Sequence, residues 1–257
     1  MALDMLETEA MLHTIQAITF TFLSVSILSA QNGVASAPDG VALTGEKILA
    51  KLASMEAERN MRLPSYKVMR VYNLQMEKRA KPVISKAEFK FNKEGGKAFR
   101  IVEEQGPDGF FRGALHKVMQ AEVNAAKSEK EVRDVEVSPE NYTATLVGKE
   151  ILDGRQCYVL SVVPRRNSKY LIKGKAWVDA EDFGLLRLEG SPTASLSFWV
   201  GKPYIVQTFE NFGGHFLLMS TESEIDARIV GRLKLTISSA QYAWNSADSM
   251  KLAAGGN

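Results

Sequence analysis

The sequence contains a single cysteine, so no disulfide can close within the chain and no thiolate cluster can hold a metal. Histidine is nearly as scarce. Of the three, His13 lies near the start, and His116 and His215 are far apart along the chain, which leaves little from which to build a zinc site. No Gly-x-Ser-x-Gly elbow, Walker loop or Gly-x-Gly-x-x-Gly fingerprint is present. With 32 Lys and Arg against 30 Asp and Glu, the chain lacks the strong positive excess of a default nucleic-acid binder. The sequence also lacks a long hydrophobic run: its best, Ile15–Ala30, is short of the roughly 20 residues that cross a bilayer.

What remains is the composition of an ordinary folded protein, 45% hydrophobic and 24% charged. The first Lys or Arg is Lys47, and nothing between Glu9 and Asp39 is Asp, Glu, Lys or Arg. The apolar run inside that gap ends in Leu28-Ser29-Ala30, a small-residue cleavage pattern, so residues 1–30 read as a secretory signal peptide. Asp4, Glu7 and Glu9 sit where such a signal is normally positive, and translation starting at Met11 would remove them. Cleavage would leave 32 bases against 27 acids. The expected location is the periplasm, the alternative being an inner-membrane anchor through residues 15–30.

Residues 31–43 are small, polar and punctuated by Gly and Pro, a flexible lead-in. Thr44 can cap a helix running to Arg59, with Ile48, Leu49, Leu52 and Met55 on one stripe. After Pro64 the period falls from 3.6 to 2. Tyr66, Val68, Tyr72 and Leu74 alternate with polar residues, then Ala87, Phe89 and Phe91, then Phe99 and Ile101. A helical interruption, Phe110–Val123, places Phe111, Leu115, Val118 and Glu122 at helical intervals, and Lys127–Glu136 reads as a solvated helix end or loop. Strands then resume. Asp153-Gly154 is a strong hairpin signal between Thr143–Leu152 and Gln156–Val163. Lys169–Val178, Gly184–Leu188, Ser195–Val200, Tyr204–Phe212, His215–Ile225 and Arg228–Tyr242 complete the series.

The expected fold is therefore mainly β: a strongly curved antiparallel sheet of about ten or eleven strands, an unclosed half-barrel with helices covering its concave face. One domain, 44–246, carries it, and 247–257 is a tail. An apolar sheet face with only two helices to cover it must curl around them. A concave apolar face that is incompletely plugged is a natural ligand cavity.

The chemistry-bearing residues have bland readings. Cys157 alternates with Val159 and reads as a small buried hydrophobe. Asp179, Glu181 and Asp182 fit a solvated turn better than a calcium site. Arg165, Arg166, Lys169, Lys173 and Lys175 fit the wet face of strands, and His116 and His215 read as satisfied or exposed side chains. No enzymatic constellation, metal or cofactor is expected.

The succession Leu152-Asp-Gly-Arg-Gln-Cys-Tyr-Val-Leu160, Pro164, Gly174-Lys-Ala-Trp-Val-Asp179 and Gly184-Leu-Leu-Arg187 resembles the periplasmic carriers of outer-membrane lipoproteins. These form the LolA/LolB-like superfamily, to which RseB-type envelope-stress regulators are related. The resemblance implies an eleven-strand half-barrel with a helical lid that holds acyl chains. Carriers of that family fasten the lid with an arginine at the end of an early strand. The equivalent place here holds Lys93, a lid-latch candidate that keeps the charge but lacks the planar donor fork. The helical run Phe110–Val123 stands where the family has a strand pair.

The expectation is an exported, non-enzymatic lipid- or acyl-binding protein that carries lipoprotein or another acylated cargo to the outer membrane. Its alternative is an envelope-stress sensor or interaction module on the same fold. Candidate cavity residues, taken from strand parity, are Phe89, Phe91, Phe99, Ile101, Leu186, Leu188, Phe198, Phe209, Leu233 and Leu235. Expected partners are acyl chains and transient membrane-associated donor and acceptor proteins, with no nucleic acid, and the chain is expected to be a monomer.

Overall fold

Alternation of apolar and polar residues becomes ten antiparallel strands in the computed structural model, which describes residues 43–245 except 79, 94–95, 108, 196–200 and 228–230. The leader, most of the lead-in, the tail 247–257, Phe198 and most of the expected strand Ser195–Val200 lie outside the described residues. The order along the chain is α1 (Gly45–Arg62), β1 (Tyr66–Met76), β2 (Val83–Asn92), β3 (Gly96–Gln105), α2 (Phe110–Ala125), α3 (Glu129–Arg133), β4 (Tyr142–Leu152) and β5 (Arg155–Pro164). It continues with β6 (Ile172–Asp179), β7 (Leu185–Pro192), β8 (Tyr204–Phe212), β9 (His215–Ala227) and β10 (Gly231–Trp244).

All ten strands form one sheet in the order β3-β2-β1-β10-β9-β8-β7-β6-β5-β4. Its edges, β3 and β4, do not pair with each other, so the sheet is unclosed. The expected hairpin at Asp153-Gly154 is present. Both residues have positive φ, 49° and 81°, as the tight turn that matches strand twist requires.

The helices cover one face. Thr44 caps α1 by accepting from the Lys47 amide, Glu46 occupies the first turn, and Arg59 and Arg62 occupy the last. Ile48, Leu49 and Leu52 of α1 and Leu115, Val118 and Met119 of α2 are buried in one core with Tyr72, Leu74, Phe89, Leu188, Leu235 and Ile237 of the sheet. Helix α1 bridges the sheet from its β4 edge to the end of β2. At its start Glu46 Oε1 accepts from the Ala144 amide on β4, at 2.9 Å. At its end Lys93 Nζ, just past β2, donates to the Met61 carbonyl at 2.7 Å. Helix α2 packs on β2 and β3.

Two expectations need correction. The segment 127–136 is not merely solvated: Val132 and Val135 are buried with Ala125 in a small cluster of their own. Nor is the acidic turn simply solvated. Asp179 is 1% exposed, accepts from the Glu181 and Asp182 amides, and takes Arg155 at 2.6 Å. Arg155 also reaches Asp182 at 2.7 Å, so the Asp179 and Asp182 carboxylates are spent on the turn and on Arg155.

A candidate ligand cleft under the helical bridge

The helices do not fill the concave side completely. A cleft of about 490 Å³ opens between α1 and residues 133–140, within the size range of small-molecule sites. Its α1 wall is built mainly of small side chains, Ala50, Ala53, Ser54 and Ala57, with Leu52 below them. Leu185, Phe209 and Phe216 make the floor, and Val137 and Pro139 face α1 from the opposite wall.

That opposite wall is irregular backbone, and a set of polar side chains holds it. Asn141 donates to the Arg133 and Glu136 carbonyls at 2.7 and 2.9 Å. Arg165 Nε donates to the Pro139 carbonyl at 2.7 Å. Arg166 donates to Asn141 Oδ1 and the Asp134 carbonyl, both at 2.6 Å. The two arginines expected on a wet face therefore brace a cleft wall.

Carboxylates stand on both walls. Burial pushes the Glu56 carboxyl up to about 7, against the pull of Arg59 at 2.9 Å. Burial, then the charge of Glu140, pushes Glu136 up to about 7, against Arg133. Near neutral pH both walls can thus lose charge, and the cleft becomes more apolar than its residue types suggest. Arg59 also stacks over Phe216, 4.8 Å from the ring centre, and donates to the Asp182 carbonyl, which ties α1 to the β6–β7 turn.

Beneath α2 lies a buried ion cluster. Arg70 Nη1 donates to both Glu122 oxygens at 2.5 and 2.6 Å, and Lys97 Nζ donates to Glu122 Oε1 at 3.0 Å. All three side chains are 5% exposed or less. They join β1, β3 and α2, so this end of the concave face is plugged. Burial alone would raise the Glu122 carboxyl, but the charges and hydrogen bonds of Arg70 and Lys97 outweigh it and hold it below the ordinary carboxylate range.

Of the sequence-derived cavity candidates, Phe209 lines the cleft. Phe89, Phe91, Leu188, Leu233 and Leu235 are buried in the main core beneath the helices, with Phe99 and Ile101 packed against it. Leu186 does not join them. A bulge pairs Trp177 with Arg187 and Val178 with Leu185, which leaves Leu186 as the extra residue, buried with Cys157, Val159, Trp177 and Phe216. His116 contacts Glu104 at 2.6 Å. Burial, then Arg59 and Arg62, lowers the His215 imidazole. Among the described residues no group of three or more His, Cys, Asp or Glu is placed to hold a metal. Among them, too, no helix is long and apolar enough to cross a membrane.

The fold and site thus define a mainly β protein: an unclosed antiparallel sheet, bridged by a helix, with an apolar-floored cleft beside the bridge. No known family description and no curated protein matches the sequence. Among solved structures the chain is similar to a DUF1329 family protein from Desulfovibrio piger, with TM-score 0.39, 13% identity, and coverage of 79% of this chain and 92% of that one. It is also similar to a LolA superfamily protein from Nitrosomonas europaea, with TM-score 0.38, 12% identity, and coverage of 80% and 95%. A third is a domain from Vibrio parahaemolyticus named for outer membrane lipoprotein sorting, with TM-score 0.39, 9% identity, and coverage of 75% and 92%.

Proposed function

We propose that this is an exported, non-enzymatic binding protein for acyl chains, which carries lipoprotein or another acylated cargo through the periplasm towards the outer membrane. The observation that carries the reading is the cleft of about 490 Å³ with its floor of Leu185, Phe209 and Phe216 beside a helical bridge. A buried chain of about ten methylenes contributes roughly 8 kcal/mol gross, and association consumes several of these. One chain is then held reversibly, as a carrier requires. Lys93, bonded to the last turn of α1, serves as the latch of the bridge.

The test is native mass spectrometry of protein purified from the periplasm without detergent, followed by solvent extraction. A co-purifying phospholipid, fatty acid or acylated peptide is the expected result. A clean apo mass from protein that also fails to take up a fluorescent acyl probe would overturn the reading. Lys93→Met should speed release of that probe if the latch holds α1 closed, and unchanged release would remove Lys93 from the mechanism.

A further inference from the structure

Three polar side chains stand among aliphatic neighbours on the helix-covered face of the sheet. Gln207 of β8 and Thr221 of β9 are both 0% exposed and directly opposite each other. Ser223, 1% exposed, lies two residues further along β9, opposite Ile205. On the other side of β9, Thr221 and Ser223 pair with Ile237 and Leu235 of β10, and on the other side of β8 Gln207 pairs with Leu188 of β7. Ile205, Leu188, Leu235 and Ile237 all belong to the main core. Side chains directly opposite across strands sit about 5 Å apart and diagonal neighbours about 7–8 Å, so the three form a spot the size of one functional group.

Among the described residues, Gln207 Oε1 and Nε2, Thr221 Oγ1 and Ser223 Oγ have no hydrogen-bond partner. Buried polar groups in folded proteins are ordinarily paired, and four unpaired atoms on two adjacent strands require an explanation. The spot carries no formal charge. It offers an amide N–H₂ and two hydroxyls as donors, and the Gln207 carbonyl as an acceptor. An anionic head placed there would lose its hydration without gaining a cation, and a bare hydrocarbon would leave all four atoms unsatisfied. A neutral carbonyl linkage meets part of this need, its oxygen accepting from two of the donors and, in an amide, its N–H meeting Gln207 Oε1. Phe209, two residues along β8 from Gln207, lines the cleft, whereas the three polar residues are sealed beneath it, so a linkage enters the spot only when the core side chains between them move aside.

The geometry points to a linkage-reading subsite: Gln207, Thr221 and Ser223 hold the ester or amide carbonyl of an acyl ligand while its hydrocarbon lies along the floor of the cleft. This inference rests on the acyl-binding reading and names what that site distinguishes.

The experiment uses delipidated protein carrying the neutral dye N-phenyl-1-naphthylamine, displaced by methyl decanoate or by dodecane, chains of similar length. The ester should displace the dye at about tenfold lower concentration than the alkane. The near-isosteric double variant Thr221→Val/Ser223→Ala should bring the two within about twofold, with circular dichroism confirming the fold. Gln207→Leu is the second variant and should act in the same direction. Equal displacement by ester and alkane in the natural protein overturns the subsite and leaves acyl binding standing. Displacement by neither overturns both. An ester preference that survives the double variant and Gln207→Leu overturns the assignment to these residues. The same survival with a lowered melting temperature identifies the trio as holding structural water instead.

Discussion

Replacing Glu122 by Gln tests whether the buried ion cluster pins α2 to the sheet. The substitution keeps volume and one acceptor but removes the charge that Arg70 and Lys97 both face at 2.5–3.0 Å. All three side chains are almost fully buried, so water cannot compensate the two cations. Breaking such a pair by removing one partner costs about 3–5 kcal/mol. For a domain of this size each kcal/mol lowers the melting temperature by about 2–4 °C, so Glu122→Gln should melt about 6–20 °C lower at pH 7. Urea denaturation followed by circular dichroism should give the same loss in free energy. The triple change Arg70→Met, Lys97→Met, Glu122→Leu should recover most of it, because it removes the charges rather than orphaning them. The pH dependence adds a second check. The folded carboxyl lies below its unfolded value of 4.5, so its contribution is present above that value and fades as pH falls through the folded one. The two proteins should therefore converge in stability in acid. A loss below about 1 kcal/mol at pH 7, or a gap independent of pH, would refute the argument.

Other perturbations test the rest of the frame. A Cβ on Gly174 would collide with the Glu189 carbonyl across the β6–β7 ladder, so Gly174→Ala should cost about 2 kcal/mol or more; an unchanged urea midpoint would contradict that close approach. Glu56 has a folded pKa raised to about 7, so the stability it contributes is present below 4.5 and lost as pH rises through 7. Glu56→Gln should therefore melt higher than the natural protein at pH 8 and close to it at pH 5, and a reversed order would show that the Arg59 pair dominates. Burial also pushes the Cys157 thiol up, so alkylation by iodoacetamide at pH 8 should be slow in the folded protein and fast in urea, whereas rapid native modification would mean that the β5 cluster opens readily.

Much of the fold is legible because its rules are local. Period-2 alternation marks β1, β2 and β3, Thr44 announces α1, and Asp153-Gly154 announces the β4–β5 hairpin. Parity fails where a bulge intervenes. Counting by twos places Leu186 with Leu188, and one extra residue in the β6–β7 register separates them into different clusters. The cleft was less legible still, because its walls come from α1 and residues 133–140, which are far apart in the chain.

The more instructive signal is polar. Arg70 shares parity with Val68 and Tyr72, Lys97 with Phe99 and Ile101, and Glu122 lies on the stripe of Leu115 and Val118. Each is a charge on an apolar face, and the two signs balance nearly enough to suggest a partnership. Gln207 and Ser223 break the pattern in the same way beside Ile205 and Ile225. In sequence the two groups look alike, as polar residues at core positions. The register separates them: it brings Glu122 to Arg70 and Lys97, where every charge has an opposite, and sets Gln207, Thr221 and Ser223 among aliphatic neighbours. A polar residue on a buried face therefore acquires its meaning from what the fold places beside it. The paired group fastens α2 to the sheet; the unpaired group is the one to which the proposed linkage-reading subsite gives a role.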